Sequence, residues 1–413
     1  MSRVVPFCAL RPGKPFVRQV AAPPYDVLNA AEARQQVRDN PFSFLHVEKS
    51  EIDLPDAAGV EDQRIYARAK ENLEGMIRQG ILFQEESAVF YLYRQQMGER
   101  VQTGIVACAG IAEYETGRIL RHEFTREDKE RERTLHIDTV GAQTGPVFMT
   151  YRGREEIDRL TAQVVKRPPE YEFTADDGIR HTVWIIRDPA EIREVVEGFT
   201  PVEALYIADG HHRAAAAANV ARLRSSRNPG DSGDGEHHFL LAVLFPHDQL
   251  RIMDYNRAVR DLNGLTEAEF LKRIGDDFLV TGNFTAKSPG RPHEFGMYLK
   301  GGWRRLTARA GILREDDPVA GLDVSLLQEN LLGPVLGIRD QRTDKRIEFI
   351  GGIRGMAELE RLVDQAGFAV AFSLYPPTVA QMMAVADRGK VMPPKSTWFE
   401  PKLRSGLFVH LLE

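Results

Sequence analysis

The chain contains the stretch Leu205-Tyr206-Ile207-Ala208-Asp209-Gly210-His211-His212-Arg213, which five alanines follow as far as Ala218. The first four residues form a short apolar run rich in β-formers, which predicts a buried strand. Asp209 and Gly210 form a turn pair, and the alanines are the strongest helix-forming run in the sequence. The stretch therefore predicts a strand-to-helix turn.

Four polar side chains lie on this turn, where the backbone N–H groups of a helix N-terminus favour anions. Asp209 offers a base or a metal ligand, whereas His211, His212 and Arg213 offer hydrogen-bond donors. Alternatively, Asp209 is a plain N-cap and the histidines are surface residues. We favour a phosphate site, with these four residues as catalytic candidates and Gly210 as a phosphate contact.

Composition limits the class of protein. The chain has 413 residues, enough for one large or two ordinary domains, and its net charge of −6 argues against a broad nucleic-acid-binding surface. Its two cysteines, Cys8 and Cys108, lie in apolar surroundings, which is typical of a reducing cytosol and not of a disulfide framework. The sequence shows no signal peptide and no membrane span, so we expect a cytoplasmic protein.

A proline-rich arm near the N-terminus carries a second pair of candidates. Pro23 and Pro24 fix an extended backbone, and Tyr25 and Asp26 follow them directly. A rigid arm can hold these two side chains in a substrate pocket. The alternative is a surface loop that leads into a helix at residues 30–38.

Residues 121–134 are dense in charges of alternating sign, which predicts that most of the segment is a solvated helix face. His122 and Glu123 precede that helix, and we assign both as substrate contacts. The runs 89–93 and 101–112 predict antiparallel strands on either side of a turn at Gly98.

A second polar cluster lies near the C-terminus, where Pro393 and Pro394 precede Lys395-Ser396-Thr397 and Lys402 follows. A cation beside two hydroxyls suits a phosphate or nucleotide clamp. The segment is not a Walker loop, because no Gly-x-x-x-x-Gly precedes Lys395. The alternative is a tail strand with an ordinary basic rim. We further predict that Asp26 and Lys395 converge on the turn at Asp209.

Three histidines follow a segment, residues 225–236, whose composition predicts a flexible loop. His237, His238 and His247 have a spacing that fits no standard zinc-ligand pattern, so no zinc site is predicted there.

Together these segments resemble a prokaryotic family catalogued as domain of unknown function 1015. The matching pieces are Pro24-Tyr25-Asp26-Val27, His122-Glu123 with Thr125 and Lys129, Ala208 to Arg213, Asn256-Arg257 and Met392 to Thr397. Asn256 and Arg257 join the substrate-binding candidates through this resemblance.

The central turn, over about forty residues, also resembles the phosphate-binding motif of the ParB and sulfiredoxin superfamily, in particular its free serine kinases. This resemblance implies a nucleotide (ATP or ADP) and Mg²⁺ as cofactors, with Asp209 as the metal ligand. Sulfiredoxin chemistry is not expected, since His211 stands where that motif requires a cysteine. No helix-turn-helix of the ParB type is evident.

We therefore predict an α/β or α+β protein with a mixed sheet, a ParB/sulfiredoxin-like core and family-specific N- and C-terminal extensions. The predicted parts are residues 1–190 and 191–413, or one continuous domain. The predicted function is nucleotide-dependent phosphoryl transfer to a small hydroxyl substrate by a kinase-type enzyme, with free serine implied by resemblance. A metal-dependent phosphohydrolase and a non-enzymatic, ParB-like nucleotide-binding protein remain as alternatives.

Overall fold

The computed structural model describes residues 2–54, 59, 61–228, 230–314 and 316–413. The chain forms two compact units. The first comprises Met1–Arg121, Thr125–Leu250 and Pro401–Glu413, and the second comprises His122–Phe124 and Arg251–Glu400. In chain order, the second unit is therefore an insertion into the first.

The first unit contains most of the strands. They are β1 (Val4–Val5), β2 (Leu10–Pro12), β3 (Leu82–Gln84), β4 (Phe90–Met97), β5 (Arg100–Gly110), β6 (Ile119–Leu120), β7 (Ala142–Gln143), β8 (Val147–Tyr151), β9 (Tyr171–Thr174), β10 (Arg180–Ile186), β11 (Leu205–Asp209) and β12 (Phe239–Pro246). Its helices are α1 (Val17–Val20), α2 (Ala30–Val37), α3 (Leu45–Glu48), α4 (Gln63–Arg78), α5 (Ile111–Glu115), α6 (Glu127–Val140), α7 (Glu155–Val164), α8 (Pro189–Phe199) and α9 (His211–Arg227).

Nine of these strands form one sheet in the order β6-β11-β8-β12-β5-β4-β10-β9, with β1 added beside β5. The pairs β6–β11 and β8–β12 are parallel and the other pairs are antiparallel, which confirms the predicted α/β class with a mixed sheet. Every residue of β12 is buried, because this apolar strand lies between two neighbours inside the sheet.

The predicted boundary at residue 190 does not coincide with the boundaries of the two units, and long-range strand pairing is the reason. β5 pairs with β12, and β8 pairs with β11, so strands from both sides of residue 190 share one sheet. The predicted hairpin is present as β4 and β5, which pair antiparallel across a turn where Gly98 has φ +61°.

The second unit has its own strands and helices: β13 (Ile252–Met253), β14 (Tyr255–Val259), β15 (Phe278–Thr281), β16 (Glu294–Leu299), β17 (Gly302–Ala308), β18 (Ile347–Gly351), β19 (Val370–Leu374), β20 (Trp398–Phe399), α10 (Glu267–Ile274), α11 (Asp323–Leu327), α12 (Gly355–Gln365) and α13 (Val379–Asp387). Six strands form an antiparallel sheet in the order β15-β17-β16-β19-β14-β18. The apolar face of α12 is buried in the same core cluster as residues of β14, β16 and β19, through Leu359, Leu362 and Val363.

In the second unit, α11 continues into a π-helical turn, Gln328–Leu332. The chain then returns to the first unit, where β21 (His410–Leu411) pairs antiparallel with β7. Across the described residues, no helix combines the length and the apolar character needed to cross a bilayer.

Candidate functional site

The central turn adopts the predicted strand-to-helix geometry. The register of β11 against β8 shifts between Ile207 and Asp209, and such a bulge redirects the side chain that follows it. Gly210 has φ +91°, and a Cβ at this position would lie 3.5 Å from the Cα of Val147. A glycine is therefore favoured by the left-handed backbone, whereas the contact that a Cβ would make with β8 has an ordinary van der Waals length.

Asp209 is not the N-cap of α9. The N-cap is Gly210, which has no side chain to cap with, and the Oδ1 atom of Asp209 accepts a hydrogen bond from the N–H of Gly210 at 2.9 Å. The N-terminus of this 17-residue helix thus lacks a side-chain cap. Uncapped helix termini are suited to binding anions.

Asp209 forms an ion pair with Lys402, whose Nζ lies 2.8 Å from its Oδ2. Burial disfavours the charged form, but Lys402, Arg213 and His211 outweigh burial and hold the pKa of Asp209 well below its ordinary value. The carboxylate is therefore ionised at neutral pH, which suits a metal ligand better than a general base.

Hydrogen bonds from side chains of the sheet hold the backbone of Lys402 in place. The side-chain amide of Gln95 donates to the carbonyl of Lys402 at 2.8 Å, and Gln102 donates to Gln95 at 3.0 Å. Both glutamines are buried on the β4–β5 hairpin. Buried amides require partners, so this chain of hydrogen bonds anchors the segment that carries the lysine.

The two histidines have different surroundings. His211 is buried in the first turn of α9. His212 is half-buried, and its Nε2 accepts a hydrogen bond from the backbone N–H of Arg126 at 3.0 Å. An accepting Nε2 places the ring proton of a neutral His212 on Nδ1.

Arg213 connects the helix to the N-terminal arm. Its Nη1 donates to the carbonyl of Pro146 at 2.8 Å, and its Nη2 lies 3.6 Å from Oδ1 of Asp26. The guanidinium also lies 5.5 Å from the centre of the Tyr25 ring. Tyr25 and Asp26 therefore lie beside the central turn, as predicted for Asp26.

The sequence interpretation missed a second arginine at this place. The guanidinium of Arg133, on α6, lies 4.0 Å from the centre of the Tyr25 ring, and its Nη1 lies 3.4 Å from Oε2 of Glu48. The side chains of Arg133 and Glu48 are 7% and 3% exposed. Burial opposes the charge of Glu48, but Arg133, His136 and Arg213 lower its pKa overall. The tyrosine ring thus contacts two buried arginines.

His136 completes this cluster. It lies one helical turn after Arg133 on the same face of α6, and its Nε2 bonds to the carbonyl of Val47 at 3.0 Å. Burial and Arg133 lower its pKa to about 4, so the ring is neutral at pH 7. The i, i+3 spacing of Arg133 and His136 was a signal in the sequence, but the surrounding charges concealed it.

Two cavities adjoin the cluster. The larger measures about 270 Å³ and is lined mainly by polar residues: Ala30, Arg34, Glu48, Ser50, Glu51, Leu54, Gly59, Ile65, Tyr66, Glu132, Arg133 and His136. The smaller measures about 20 Å³ and reaches Arg213, Thr144 and Gly145. The smaller one has room for one water, whereas the larger can hold a small metabolite.

Two buried histidines predict how stability depends on pH. Burial lowers the pKa of His136 to about 4 and that of His181, beside Arg404, to about 3. Between pH 6.5 and 4 the unfolded chain binds protons that the folded chain does not. The free energy of unfolding should therefore fall on acidification, by about 1.4 kcal/mol per pH unit for each histidine.

Urea titrations at pH 7, 6, 5 and 4 would measure this fall. His136→Gln should flatten the dependence of the unfolding free energy on pH by about one proton, because it removes one of the two groups that titrate only in the unfolded chain. An unchanged slope in His136→Gln would show that His136 is not buried in its neutral form.

The remaining candidates belong to the second unit. Nε2 of His122 lies 3.0 Å from Oγ1 of Thr397, and the carbonyl of His122 accepts from the N–H of Met392 at 2.8 Å. Lys395 has φ +56°, which is uncommon for a residue with a side chain, and Ser396 donates to the carbonyl of Pro393. His122 and the proline-flanked segment at residues 392–397 were both predicted site elements, and they contact each other.

Asn256 and Arg257 are buried on β14. Arg257 donates to the carbonyls of Tyr255 and Lys395, and burial lowers its pKa to about 10. Asn256 donates to Asp254 and accepts from the N–H of Leu374. These bonds give both residues a structural part in the second unit, while their substrate contact, like that of Glu123, stays a prediction. Lys395 also belongs to that unit, so its approach to Asp209 stays a prediction as well.

Comparison with known proteins identifies a family. A family model described as "Protein of unknown function (DUF1015)" matches residues 4–325. No curated protein matches the chain.

Several solved structures are similar to this chain at low identity. A conserved hypothetical protein from Pyrococcus furiosus shares 12% identity, with 74% of this chain and 95% of that chain covered and a TM-score of 0.37. A free serine kinase in complex with AMP shares 13%, with 71% and 86% covered and a TM-score of 0.35. SbnI from Staphylococcus aureus, with a C-terminal truncation, shares 10%, with 74% and 87% covered and a TM-score of 0.39. Such likenesses do not identify a substrate for this chain.

Proposed function

The chain belongs to this DUF1015 family of proteins of unknown function, and from its own residues we propose that it transfers a phosphoryl group from a nucleotide to the hydroxyl group of a small substrate. Free serine is the acceptor that we propose to test first, because the central turn resembles that of free serine kinases. The nucleotide is ATP or ADP.

One observation carries this proposal: the Asp209–Lys402 ion pair lies at the uncapped N-terminus of α9. Phosphoryl transfer needs cations and N–H groups around the phosphates and a carboxylate for the metal. The turn at residues 209–213 supplies the carboxylate and the N–H groups, and Lys402 supplies a cation. A purely structural turn requires neither a buried arginine nor a lysine from 193 residues further along the chain.

The ion pair also suggests how the site accepts its ligand. In the structure, Lys402 neutralises Asp209. An incoming phosphate offers Lys402 a second anionic partner, and Asp209 then becomes available to a cation. We therefore assign Lys402, His211, His212 and the backbone at Gly210 to the phosphates.

Mg²⁺ fits this turn as a nucleotide-bound ion. Mg²⁺ usually takes one or two carboxylates together with phosphate oxygens and waters, and the carboxylate of Asp209 is ionised at neutral pH because its pKa is lowered. When bound, the ion neutralises charge on the transferred group. Within the described parts of the chain, the cluster of three metal-ligating side chains lies elsewhere, so the turn is not a cage built by protein alone.

The cavity of about 270 Å³ is our proposed place for the acceptor. It presents both carboxylates and guanidinium groups, among them Glu48 and Arg133, which suits a small zwitterion such as an amino acid. Asp26 has a half-exposed side chain held beside Arg213, and we assign it to the substrate hydroxyl. A neighbouring guanidinium orients such a carboxylate.

The proposal is tested with the full chain, Mg²⁺, and ATP or ADP, against a panel of small hydroxyl compounds that includes free serine. We expect a phosphorylated product, detected by ³¹P NMR, with nucleotide consumed in equal amount. Phosphate release without such a product would indicate the phosphohydrolase instead. Tight nucleotide binding with no turnover across the panel would indicate the binding protein.

Arg213→Lys is expected to weaken nucleotide binding by about tenfold. A lysine keeps the charge, but its single nitrogen cannot reproduce the fork by which two guanidinium nitrogens reach Pro146 and Asp26, so the link between the turn and the N-terminal arm is weakened. Isothermal titration with ADP measures the change. Arg222→Lys, an exposed position on the same helix, is the matched control and should bind like the parent. Equal affinities in all three proteins would reduce Arg213 to a packing residue.

A further inference from the structure

The loop between α9 and β12 contains a cluster of three potential metal ligands in the first unit: Asp231, His237 and His238. Their donor atoms all lie within 4.8 Å of one another. The cluster shares no residue with the turn at Asp209. From it we propose that the chain has a transition-metal site of the Zn²⁺ class, in which both imidazoles bind through Nε2 and Asp231 binds through a carboxylate oxygen.

The distances suit one shared ion. Nε2 of His237 lies 3.1 Å from Oδ2 of Asp231, and Nε2 of His238 lies 2.7 Å from the same oxygen. Two ligands of a tetrahedral zinc ion, each about 2.0–2.1 Å from the metal, lie about 3.4 Å apart. A small outward shift of each side chain would therefore admit the ion.

The orientation of the two rings is unusual for neighbours in sequence. His237 and His238 lie in a 3-10 turn, Glu236–His238, where successive side chains normally diverge by about 120°. Here both rings turn toward one carboxylate oxygen, and their centres are 4.3 Å apart. Such convergence is typical of ligands that share a metal.

The surrounding chain fixes this arrangement. A Cβ on Gly235 would lie 2.8 Å from the ring of His237, so only glycine leaves room for the ring to fold back. Oδ1 of Asp231 accepts from the N–H of Gly233 at 3.2 Å, which leaves Oδ2 facing the histidines. The hydroxyl of Ser225, at the end of α9, also bonds Oδ2 and supports the ligand from outside.

The ligand set indicates the kind of metal. Two imidazoles and one carboxylate suit Zn²⁺ and its neighbours, whereas Mg²⁺ and Ca²⁺ prefer oxygen alone. The side chains of Asp231, His237 and His238 are 11%, 14% and 24% exposed, so water can reach a fourth position. The bound ion would fasten the loop to the start of β12. His247 takes no part, because its Nδ1 accepts from the N–H of Gly153.

Metal-free full-length protein, prepared with chelator and then dialysed, should bind one Zn²⁺ per chain in a titration against a chromophoric chelator. Asp231→Asn and His238→Gln should each weaken this binding at least about tenfold. His247→Gln is the matched control and should bind like the parent. Equal binding by the parent and both cluster variants would overturn the proposal.

A second measurement uses the unaltered protein, in case a variant fails to fold. In NMR spectra of the imidazole rings, one equivalent of Zn²⁺ should shift the signals of His237 and His238 and leave that of His247 in place. Co²⁺ in the same site should give the visible absorption of a four-coordinate ion. Unshifted signals for His237 and His238 would equally overturn the site.

Discussion

Replacing Asp209 with asparagine is expected to lower turnover at least about a hundredfold while the fold and nucleotide binding persist. Asparagine has the same shape, and its side-chain oxygen can still accept from the N–H of Gly210. It lacks the charge that a metal ligand needs, and it leaves Lys402 without its counter-ion. Steady-state turnover and ADP titration separate the two effects.

The matched control is Asp138→Asn. Asp138 is likewise an ion-paired aspartate, but its partners are Arg224 and Arg227, about 20 Å along α9 from His211. We expect this variant to turn over at the parent rate. If Asp209→Asn kept full activity, Asp209 would have no part in the chemistry, and the assignment of the turn as the catalytic site would be wrong.

Arg133→Met is expected to lower the free energy of unfolding by about 3–5 kcal/mol. The substitution leaves the carboxylate of Glu48, only 3% exposed, without its ion-pair partner and removes the guanidinium from the Tyr25 ring. An uncompensated buried charge is among the costliest single defects in a folded protein. Urea denaturation at pH 7 measures the change.

The double variant Arg133→Met with Glu48→Gln should recover part of this loss, because the buried charge is removed together with its partner. Arg227→Met is the control for a solvent-exposed pair, and its cost should stay below about 1 kcal/mol. A double variant no more stable than Arg133→Met alone would mean that Glu48 is not charged in the folded protein.

Sequence reasoning found the features that are determined locally. The strand, the glycine turn and α9 follow from a nine-residue pattern and an alanine run, so they could be predicted without knowledge of the remaining chain. The hairpin of β4 and β5 is local in the same sense. Asp26 was predicted to converge on the turn, and its Oδ1 lies 3.6 Å from Nη2 of Arg213.

Features that depend on partners distant in the chain could not be predicted from the sequence. Arg133 lies in a segment of alternating charges, which is normally solvated, and only its packing against Tyr25 and Glu48 makes it a buried residue. Gln95 gave no signal, because a glutamine in a hairpin is usually exposed, whereas here it bonds to a segment 307 residues away.

The cluster of Asp231, His237 and His238 could not be predicted from the spacing of the histidines either. The sequence interpretation considered His237, His238 and His247 and found no zinc pattern, and His247 indeed bonds elsewhere. The third ligand of the proposed site is Asp231, a residue that the composition of its loop marked only as a turn former.

The ion pair between Asp209 and Lys402 also sets an order of events during biosynthesis. The two residues are 193 positions apart, and the 150-residue segment Arg251–Glu400 is translated between them. At 5–20 residues per second, the ribosome adds Lys402 about 10 to 40 s after Asp209. Throughout that interval the nascent chain has the carboxylate but not its ammonium partner. The turn is thus completed late in translation, and an unfinished chain does not yet have the phosphate site that we propose.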